Sequence, residues 1–341
     1  MKKIRLKDVA DMLGVSVVTV SNALSGKKGV SDNLRKKIIK TAHELGINCE
    51  RYSKCNNSSN NVGTETEGLI LGVLVSDFYV SIGTSFYWEM YQKITYAATR
   101  ARCLTSLDIV KEKSGNPKVP NMIKDNSIDG LIILGMLKRE FLDEVLNACQ
   151  CPIVSVDFTI PEKKISAVLS SNYIGMYKAT RELIKAGHKR IGFVGTMGFS
   201  HNIGERLCGF QKCMIENGLS VPLQWILSDR VGEMETAYVS LPDELPTAFA
   251  CSSDYAASIL YDALERRGLS VPNDISIASY DNYLYNHKLS GKLTTYNVDM
   301  EAIAESAIHR IIMELRYPEL AGKTEYIDSN VIRRTSIKNI E

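Results

Sequence analysis

Residues 6–24 read LKDVADMLGVSVVTVSNAL, and the reading of the whole chain starts from that stretch. Leu6, Val9, Ala10 and Leu13 recur at helical spacing, which predicts a first amphipathic helix over 6–13. Gly14 stops it, because glycine takes up a positive φ at little cost. Ser16 then serves as N-cap of a second helix, 17–24, whose Val20, Ala23 and Leu24 turn inward. Two short helices joined by a tight glycine turn form the unit that lays its second helix in the DNA major groove, early residues against base edges. Downstream, SDNLRKKIIKTAHELG (31–46) predicts a third helix, capped by Ser31 and closed by Gly46. Leu34, Ile38, Ile39, Ala42 and Leu45 supply its apolar face, and Arg35, Lys36, Lys37 and Lys40 lie on the others.

The charge distribution agrees with that reading. Residues 1–60 hold 12 of the 41 Lys/Arg and 5 of the 39 Asp/Glu, so this head carries a net +7 and the remainder −5. A basic head on a mildly acidic body suits a phosphate-binding module joined to a second function. At 341 residues the chain has room for two or three compact units, and 45% hydrophobic residues allow a sizeable core. No apolar run reaches 18 residues and no apolar stretch follows Met1-Lys2-Lys3, so a cytoplasmic protein with no membrane partner is expected. The eight cysteines are scattered, and Cys149-Gln150-Cys151 is a poor ligand spacing. They are expected to be small buried hydrophobes.

KDVADMLGVSVVTVSNALSG (7–26) resembles the signature of the lactose-repressor (LacI/GalR) family, whose members begin with such a three-helix headpiece. The resemblance implies that Val17, Val18 and Asn22 fall where the family reads bases. Leu6, Ser16, Thr19, Ser21 and Asn33 fall among its other DNA-facing positions, near phosphates or helix ends. The family commonly has Arg where this chain has Asn22. Arg favours guanine O6/N7 and Asn favours adenine N6/N7, so a changed base preference is expected there. The bland alternative is a small helical bundle with a solvated basic face.

The domain reading is a headpiece over 1–46, a linker over 47–67 and a body over 68–341. Six of the eight residues 55–62 are Asn or Ser, a composition that builds no core. The family's minor-groove hinge helix would fall at 49–56, where its leucine wedge is replaced by Asn56. A polar Asn unstacks a base step less well than an apolar wedge. Arg51, Tyr52 and Lys54 are expected to track phosphates.

From Gly68 onward, short apolar runs alternate with amphipathic segments. Strands are expected at 69–75, 129–135, 152–157, 190–195, 225–229, 247–254 and 275–281. Helices are expected near 84–102, 138–149, 172–186, 204–217 and 255–267. Roughly eight strands are too many for one tidy open sheet, so two Rossmann-like halves are the economical arrangement. The fold class is therefore α/β: a helix-turn-helix headpiece plus two Rossmann-like subdomains around a cleft. AGHKRIGFVG (186–195), ERLCGF (205–210), VPNDISIASYDN (271–282) and LTTYNVDM (293–300) carry the resemblance through the body, which is periplasmic-binding-protein-like in that family. It implies subdomains of about 68–168 with 297–325, and 169–296 with 326–341.

Polar and aromatic residues just after strands are the cleft candidates: Ser76, Asp77, Phe78 and Tyr79, then Asp157 and Phe158. The resemblance adds Arg206, the Ser253-Asp254 pair and Asp281, and His201 lies in a candidate cleft loop. Arg and Asp clamp vicinal hydroxyls while aromatic faces stack on sugar C–H surfaces, so the set suits a carbohydrate effector. Each also has a structural reading: the three acids as caps, Arg206 as a buried ion-pair partner, and Phe86, Tyr87 and Trp88 as core or dimer interface. Ser171 stands where the family's Asp-Asn-x-x-Gly has its acid.

No Walker A sequence, Gly-x-Ser-x-Gly elbow or His-Glu-x-x-His occurs, and the five histidines show no metal-ligand spacing. The expectation is a regulator and not an enzyme, with no metal or cofactor. Its partners are a near-palindromic double-stranded DNA operator, a carbohydrate and a second copy of the chain. No leucine heptads follow residue 330, so dimers are expected in place of tetramers. A solute-binding protein and an α/β enzyme with a helical appendage are the competing readings.

Overall fold

The computed structural model describes residues 6–24, 30–44, 68–80, 85–112, 115, 117–198, 200–231 and 236–340. The chain divides into two compact units, Met1–Glu67 and Gly68–Glu341. In the first, α1 (Leu6–Leu13), α2 (Val17–Leu24) and α3 (Asp32–Glu44) close on a small core of Val9, Ala10, Val20, Ala23, Ile38 and Ala42. Gly14 makes the turn at φ +62°, and the Val15 N–H caps the carbonyl of Ala10 at 3.0 Å.

The second unit begins with β1 (Ile70–Ser76), α4 (Asp77–Val80), α5 (Phe86–Arg100) and β2 (Leu104–Val110). It continues through α6 (Asn121–Lys124), β3 (Gly130–Leu134), α7 (Arg139–Ala148), β4 (Ile153–Val156) and β5 (Ser166–Ser170). Then follow α8 (Asn172–Lys185), β6 (Ile191–Val194), α9 (His201–Glu216), β7 (Ile226–Leu227), β8 (Arg230–Val231) and β9 (Thr236–Ala237). The chain ends with β10 (Ala248–Cys251), α10 (Asp254–Arg266), β11 (Ser276–Asp281), β12 (Thr294–Asn297), α11 (Met300–Arg316), β13 (Thr324–Ile327) and β14 (Val331–Ile332).

Two six-stranded sheets result. The first runs β13-β5-β4-β3-β1-β2, all parallel; the second runs β14-β12-β11-β10-β6-β7, parallel except for the last-formed strand. β8 and β9 form a small antiparallel pair. β3, β4, β5, β6 and β10 are buried along their whole length, as parallel strands covered on both faces must be. Each sheet reverses its winding once, between β1 and β3 in the first lobe and between β6 and β10 in the second. Such reversals open a crevice at the carboxyl ends of the strands.

Among the described residues the chain crosses between sheets after Ser170, after Asn297 and after Ile327. The first crossing delivers α8 onto the second sheet. There a Cβ on Gly175 would lie 2.6 Å from the Tyr280 ring, and one on Gly209 would collide with the Tyr173 carbonyl. Glycine at these two positions lets α8 seat on the sheet and α9 seat on α8, which fixes the spacing between Asn172 and Arg206.

The sequence reading is short by several strands. β2, β5, β8, β9 and β12 to β14 are absent from it, as are α4, α6 and α11. β2 and β13 are edge strands with mixed exposure, so no continuous apolar run marks them. The expected strand over 225–229 shrinks to Ile226–Leu227, because Leu223–Trp225 winds into a 3-10 turn with the Trp225 indole donating to the Glu244 carbonyl at 3.0 Å.

Candidate functional site

In the headpiece, the Ser16 hydroxyl accepts from the Thr19 N–H at 3.0 Å and lies 2.8 Å from the Thr19 hydroxyl, so the start of α2 is capped. That leaves Val17 exposed at the first turn, while Thr19, Ser21 and Asn22 are half-buried. An exposed valine is the kind of apolar surface that packs against a thymine methyl. Arg35 donates to the Ala23 carbonyl at 3.1 Å and ties α3 to the end of α2, leaving Lys36, Lys37 and Lys40 exposed. Leu6, Val18 and Asn33 are helical in backbone, but their side chains lie outside the described residues. So do Arg51, Tyr52, Lys54 and the whole hinge segment 49–56.

In the first lobe, Asp157 sits just past β4 at φ +69°, a left-handed conformation costly for a non-glycine residue. Its Oδ2 accepts from the Tyr87 hydroxyl at 2.6 Å. Tyr87 in turn packs on Tyr79, with ring centroids 4.2 Å apart, and Tyr79 meets Phe78 edge-on at 5.3 Å. Tyr79 is anchored by donating to the Met136 carbonyl at 3.0 Å. Ser76 is wholly buried and accepts from the Phe78 N–H, and Asp77 accepts from the Glu112 N–H at 3.1 Å. These two shape the loop after β1 and offer little to a ligand. Phe158 corrects the expectation: it is 4% exposed and packs with Phe141, Ile153 and Ile160 in the lobe core. The left-handed turn at Asp157, just past β4, leaves its carboxylate on Tyr87 and Asn202 and sends the next side chain into the lobe core.

In the second lobe Arg206 is the centre. Its Nε donates to Asn172 Oδ1 at 2.8 Å, and one terminal nitrogen donates to the Ser252 carbonyl at 2.7 Å and reaches Asp281 Oδ1 at 3.4 Å. The guanidinium also lies 3.8 Å from the centroid of the Tyr280 ring. Asp281 ends β11 at φ +107°, a second strained acid. Asp254 behaves otherwise. It is 2% exposed and accepts from the Ser279 hydroxyl, the Thr295 hydroxyl at 2.7 Å and the Tyr283 N–H at 2.9 Å. Ser253 is the N-cap of α10, its hydroxyl accepting from the Ala256 N–H at 3.0 Å. This pair therefore fastens α10 to the sheet. His201 is exposed at the first turn of α9, 3.5 Å from Glu205.

Direct contacts join the two sets. Asn202 Nδ2 donates to both the carbonyl and Oδ1 of Asp157 at 2.9 Å, and Asn172 donates to Asn202 Oδ1 and Glu205 Oε2. Phe86 meets Tyr283 edge-on at 5.8 Å. Burial pushes the Asp281 carboxyl up to about 8 against the pull of Arg206, and burial likewise raises Asp157. Burial works against the Arg206 charge, but Asp281, Tyr280 and Asp157 outweigh it and hold the guanidinium above its ordinary value. The result is one buried cation facing two acids that ionise reluctantly, ringed by tyrosines. Such a group binds neutral polyhydroxyl or amide-bearing molecules through charge-assisted hydrogen bonds.

Tyr87, Asn172, Asn202, Glu205 and Tyr280 belong to this network although sequence reasoning did not assign them to it. One signal was available: Asn202 and Arg206 stand four apart at the start of a helix, hence on one face. Among the described residues no group of three or more His, Cys, Asp or Glu could hold a metal ion, and no helix is long and apolar enough to cross a membrane.

Comparison with known proteins places both units. Residues 5–47 match the family of bacterial regulatory proteins, lacI family, and residues 180–337 match a periplasmic binding protein-like domain. The chain is 26% identical over 345 residues to the HTH-type transcriptional repressor PurR of Photobacterium profundum, covering 98% of this chain and 99% of that protein. Among solved structures it resembles a complex of the transcriptional regulator CelR with cellobiose (TM-score 0.62, 17% identity, 98% of this chain and 100% of the other). It also resembles a lac repressor dimer bound to operator and the anti-inducer ONPF (TM-score 0.60, 21% identity, 99% and 100%). The chain thus carries a headpiece of the lacI family of bacterial regulatory proteins joined to a periplasmic binding protein-like domain, and it aligns over nearly its whole length with a curated repressor.

Proposed function

We propose that this chain is a dimeric transcription regulator that represses from a near-palindromic operator and answers to a carbohydrate held between its two lobes. It acts in the bacterial cytoplasm, binds and releases its effector unchanged, and needs no cofactor. The observation that carries the DNA-binding part is α2, capped at Ser16, with Val17 exposed on a helix whose opposite face closes a core of its own. Two headpieces on a dimer would read two half-sites, in the arrangement that the lac repressor dimer on its operator exemplifies. Val17, Val18 and Asn22 are the base-reading residues of this proposal, with Leu6, Ser16, Thr19, Ser21, Asn33, Arg51, Tyr52 and Lys54 along the backbone.

For the effector, Arg206, Asp281 and Asp157 supply the hydroxyl clamps, and Tyr79, Tyr87 and Phe78 the stacking faces. The Asn202–Asp157 hydrogen bonds span the lobes. A sugar that takes over these partners changes the balance between lobe arrangements, and it controls operator affinity only by its unequal affinity for them. A tenfold change in operator affinity needs a coupling of about 1.4 kcal/mol, within reach of one or two charge-assisted hydrogen bonds.

Two measurements test this. Removing residues 1–46 should abolish retention of operator DNA in a gel shift while the remainder keeps its ligand-induced thermal shift. DNA binding by the shortened chain would sink the headpiece assignment. Thermal shifts of the full chain against mono- and disaccharides should include a positive; a response confined to nucleosides or phosphosugars would overturn the carbohydrate.

A further inference from the structure

Cys149 and Cys151 differ from the other described cysteines by position and by geometry. Cys103, Cys213 and Cys251 are buried, the small hydrophobes that their scattered placing suggested, whereas Cys208 is exposed on α9, against that expectation, and Cys49 and Cys55 lie outside the described residues. Burial pushes the Cys213 thiol up to about 11 and Cys251 well above its ordinary value. Cys149 and Cys151 are only half-buried, and their sulfurs lie 3.3 Å apart, with one Sγ–H donating to the other. Cys149 ends α7, its N–H bonded to the Val145 carbonyl, and Cys151 leads through Pro152 into β4. Both cysteines thus lie in the short connection between α7 and β4, and their sulfurs face each other across Gln150.

We propose that Cys149 and Cys151 form a reversible dithiol–disulfide site that exchanges with low-molecular-weight disulfides such as oxidised glutathione. Cys149 is the attacking sulfur of this proposal: its 3.3 Å contact with Cys151 Sγ favours a thiolate there and lowers the thiol against burial. The same contact raises Cys151, which keeps its proton until the second step. In the first step the Cys149 thiolate attacks one sulfur of the small disulfide, whose S–S bond breaks and expels one thiolate. A mixed disulfide on Cys149 remains. In the second, Cys151 gives its proton to solvent and attacks Cys149 Sγ, breaking the mixed disulfide and expelling the second thiolate. The protein has lost two electrons and two protons; the small disulfide has become two thiols.

Closing the pair draws the sulfurs from 3.3 Å to the bonded distance of about 2.05 Å with a single residue between them. So tight a ring restrains almost none of the unfolded chain and carries geometric strain, which makes the bond readily reducible. Such a bond switches; it does not staple. Its place is the amino end of the first sheet, opposite the cleft. Asp129, whose charge bears on Cys151, accepts there from the Ile70 N–H at 2.9 Å, at the start of β1.

Tryptic cleavage after Arg139 and Lys163 isolates a peptide whose only cysteines are these two. The full chain is equilibrated in mixtures of reduced and oxidised glutathione, alkylated and digested. The expected result is a peptide lighter by two hydrogens and unalkylated in the oxidising mixtures, returning to the doubly alkylated form with dithiothreitol. Cys151→Ser should trap glutathione on Cys149, and Cys149→Ser should slow reaction of the peptide at least about tenfold. Double alkylation under oxidising conditions, a stable glutathione adduct on the wild-type peptide, or unchanged reactivity of Cys149→Ser would each overturn the proposal. No readout depends on DNA or effector binding, so this test stands apart from the function proposed above.

Discussion

The first and second lobes share one winding, with the reversal after the first strand of each, yet their strand ends present different chemistry. The first lobe presents rings: Phe78, Tyr79 and Tyr87 stack beside a single acid, Asp157. The second presents charge: Arg206 between Asn172 and Asp281, over the face of Tyr280. A fold places residues at an edge; their identity is free to differ. The lobes also show how to separate a ligand-facing acid from a structural one. Asp157 and Asp281 hold strained left-handed backbone and face partners brought in by α9. Asp254 holds a helical backbone position and has three donors from its own lobe.

That contrast is open to direct attack. Arg206→Met should produce the largest change, because it leaves buried Asn172 and the Ser252 carbonyl without their donor. A loss of about 2–4 kcal/mol in urea unfolding is expected from the unpaired Asn172 and Ser252 acceptors, and a loss below about 1 kcal/mol would mean that the lobe is not organised around this residue. Asp254→Ala should cost about 1–3 kcal/mol by leaving buried hydroxyl and N–H donors unpaired, with the cleft chemistry spared. A silent Asp254→Ala would erase the distinction between the acids.

Asp281 is distinguished by pH. Its carboxyl is raised to about 8 by burial, against about 3.9 in an unfolded chain, so the folded state keeps a proton that the unfolded state has released. Stability therefore falls as pH rises from about 4 to 8 and levels off above. Asp254, raised to about 6 by burial, contributes only to the lower part of that window. Asp281→Asn should flatten the profile between about pH 6 and 8, read from unfolding midpoints. An unchanged slope there would contradict the assignment.

Smaller effects sharpen the aromatic side. Tyr87→Phe should cost about 1–1.5 kcal/mol, remove a hydrogen bond that favours the Asp157 carboxylate, and weaken effector binding. Ser253→Ala should cost about 1 kcal/mol as a lost helix cap and leave effector affinity unchanged; a large affinity loss would return Ser253 to the cleft.

Legibility in the sequence followed the range of the interactions. The headpiece was readable residue by residue, since Ser16 caps Thr19 three positions on and Gly14 turns the chain where it stands. The central strands announced themselves as apolar runs because both their faces are covered. Edge strands such as β2 did not, because half of each side chain's surroundings is solvent. Asp254 and Asp281 carry the same signal, an acid beside a strand end. What separates them is Thr295 and Ser279 around one and Arg206 near the other, 25 to 75 positions distant. Asn202 looks like any polar helix start until the first lobe brings Asp157 to it.

By itself, then, the sequence determined the α/β class, the helix-turn-helix that begins the chain, and the loops from which a cleft is built. These rest on propensity, capping and periodicity, all read within one or two turns. Only the tertiary structure decided that Phe158 is core, that Ser253 and Asp254 are fastenings, that Tyr87 and Asn202 meet Asp157, and that Cys149 faces Cys151. Burial and the partner of a polar group depend on chain segments that packing brings together, and no local pattern encodes which segment arrives.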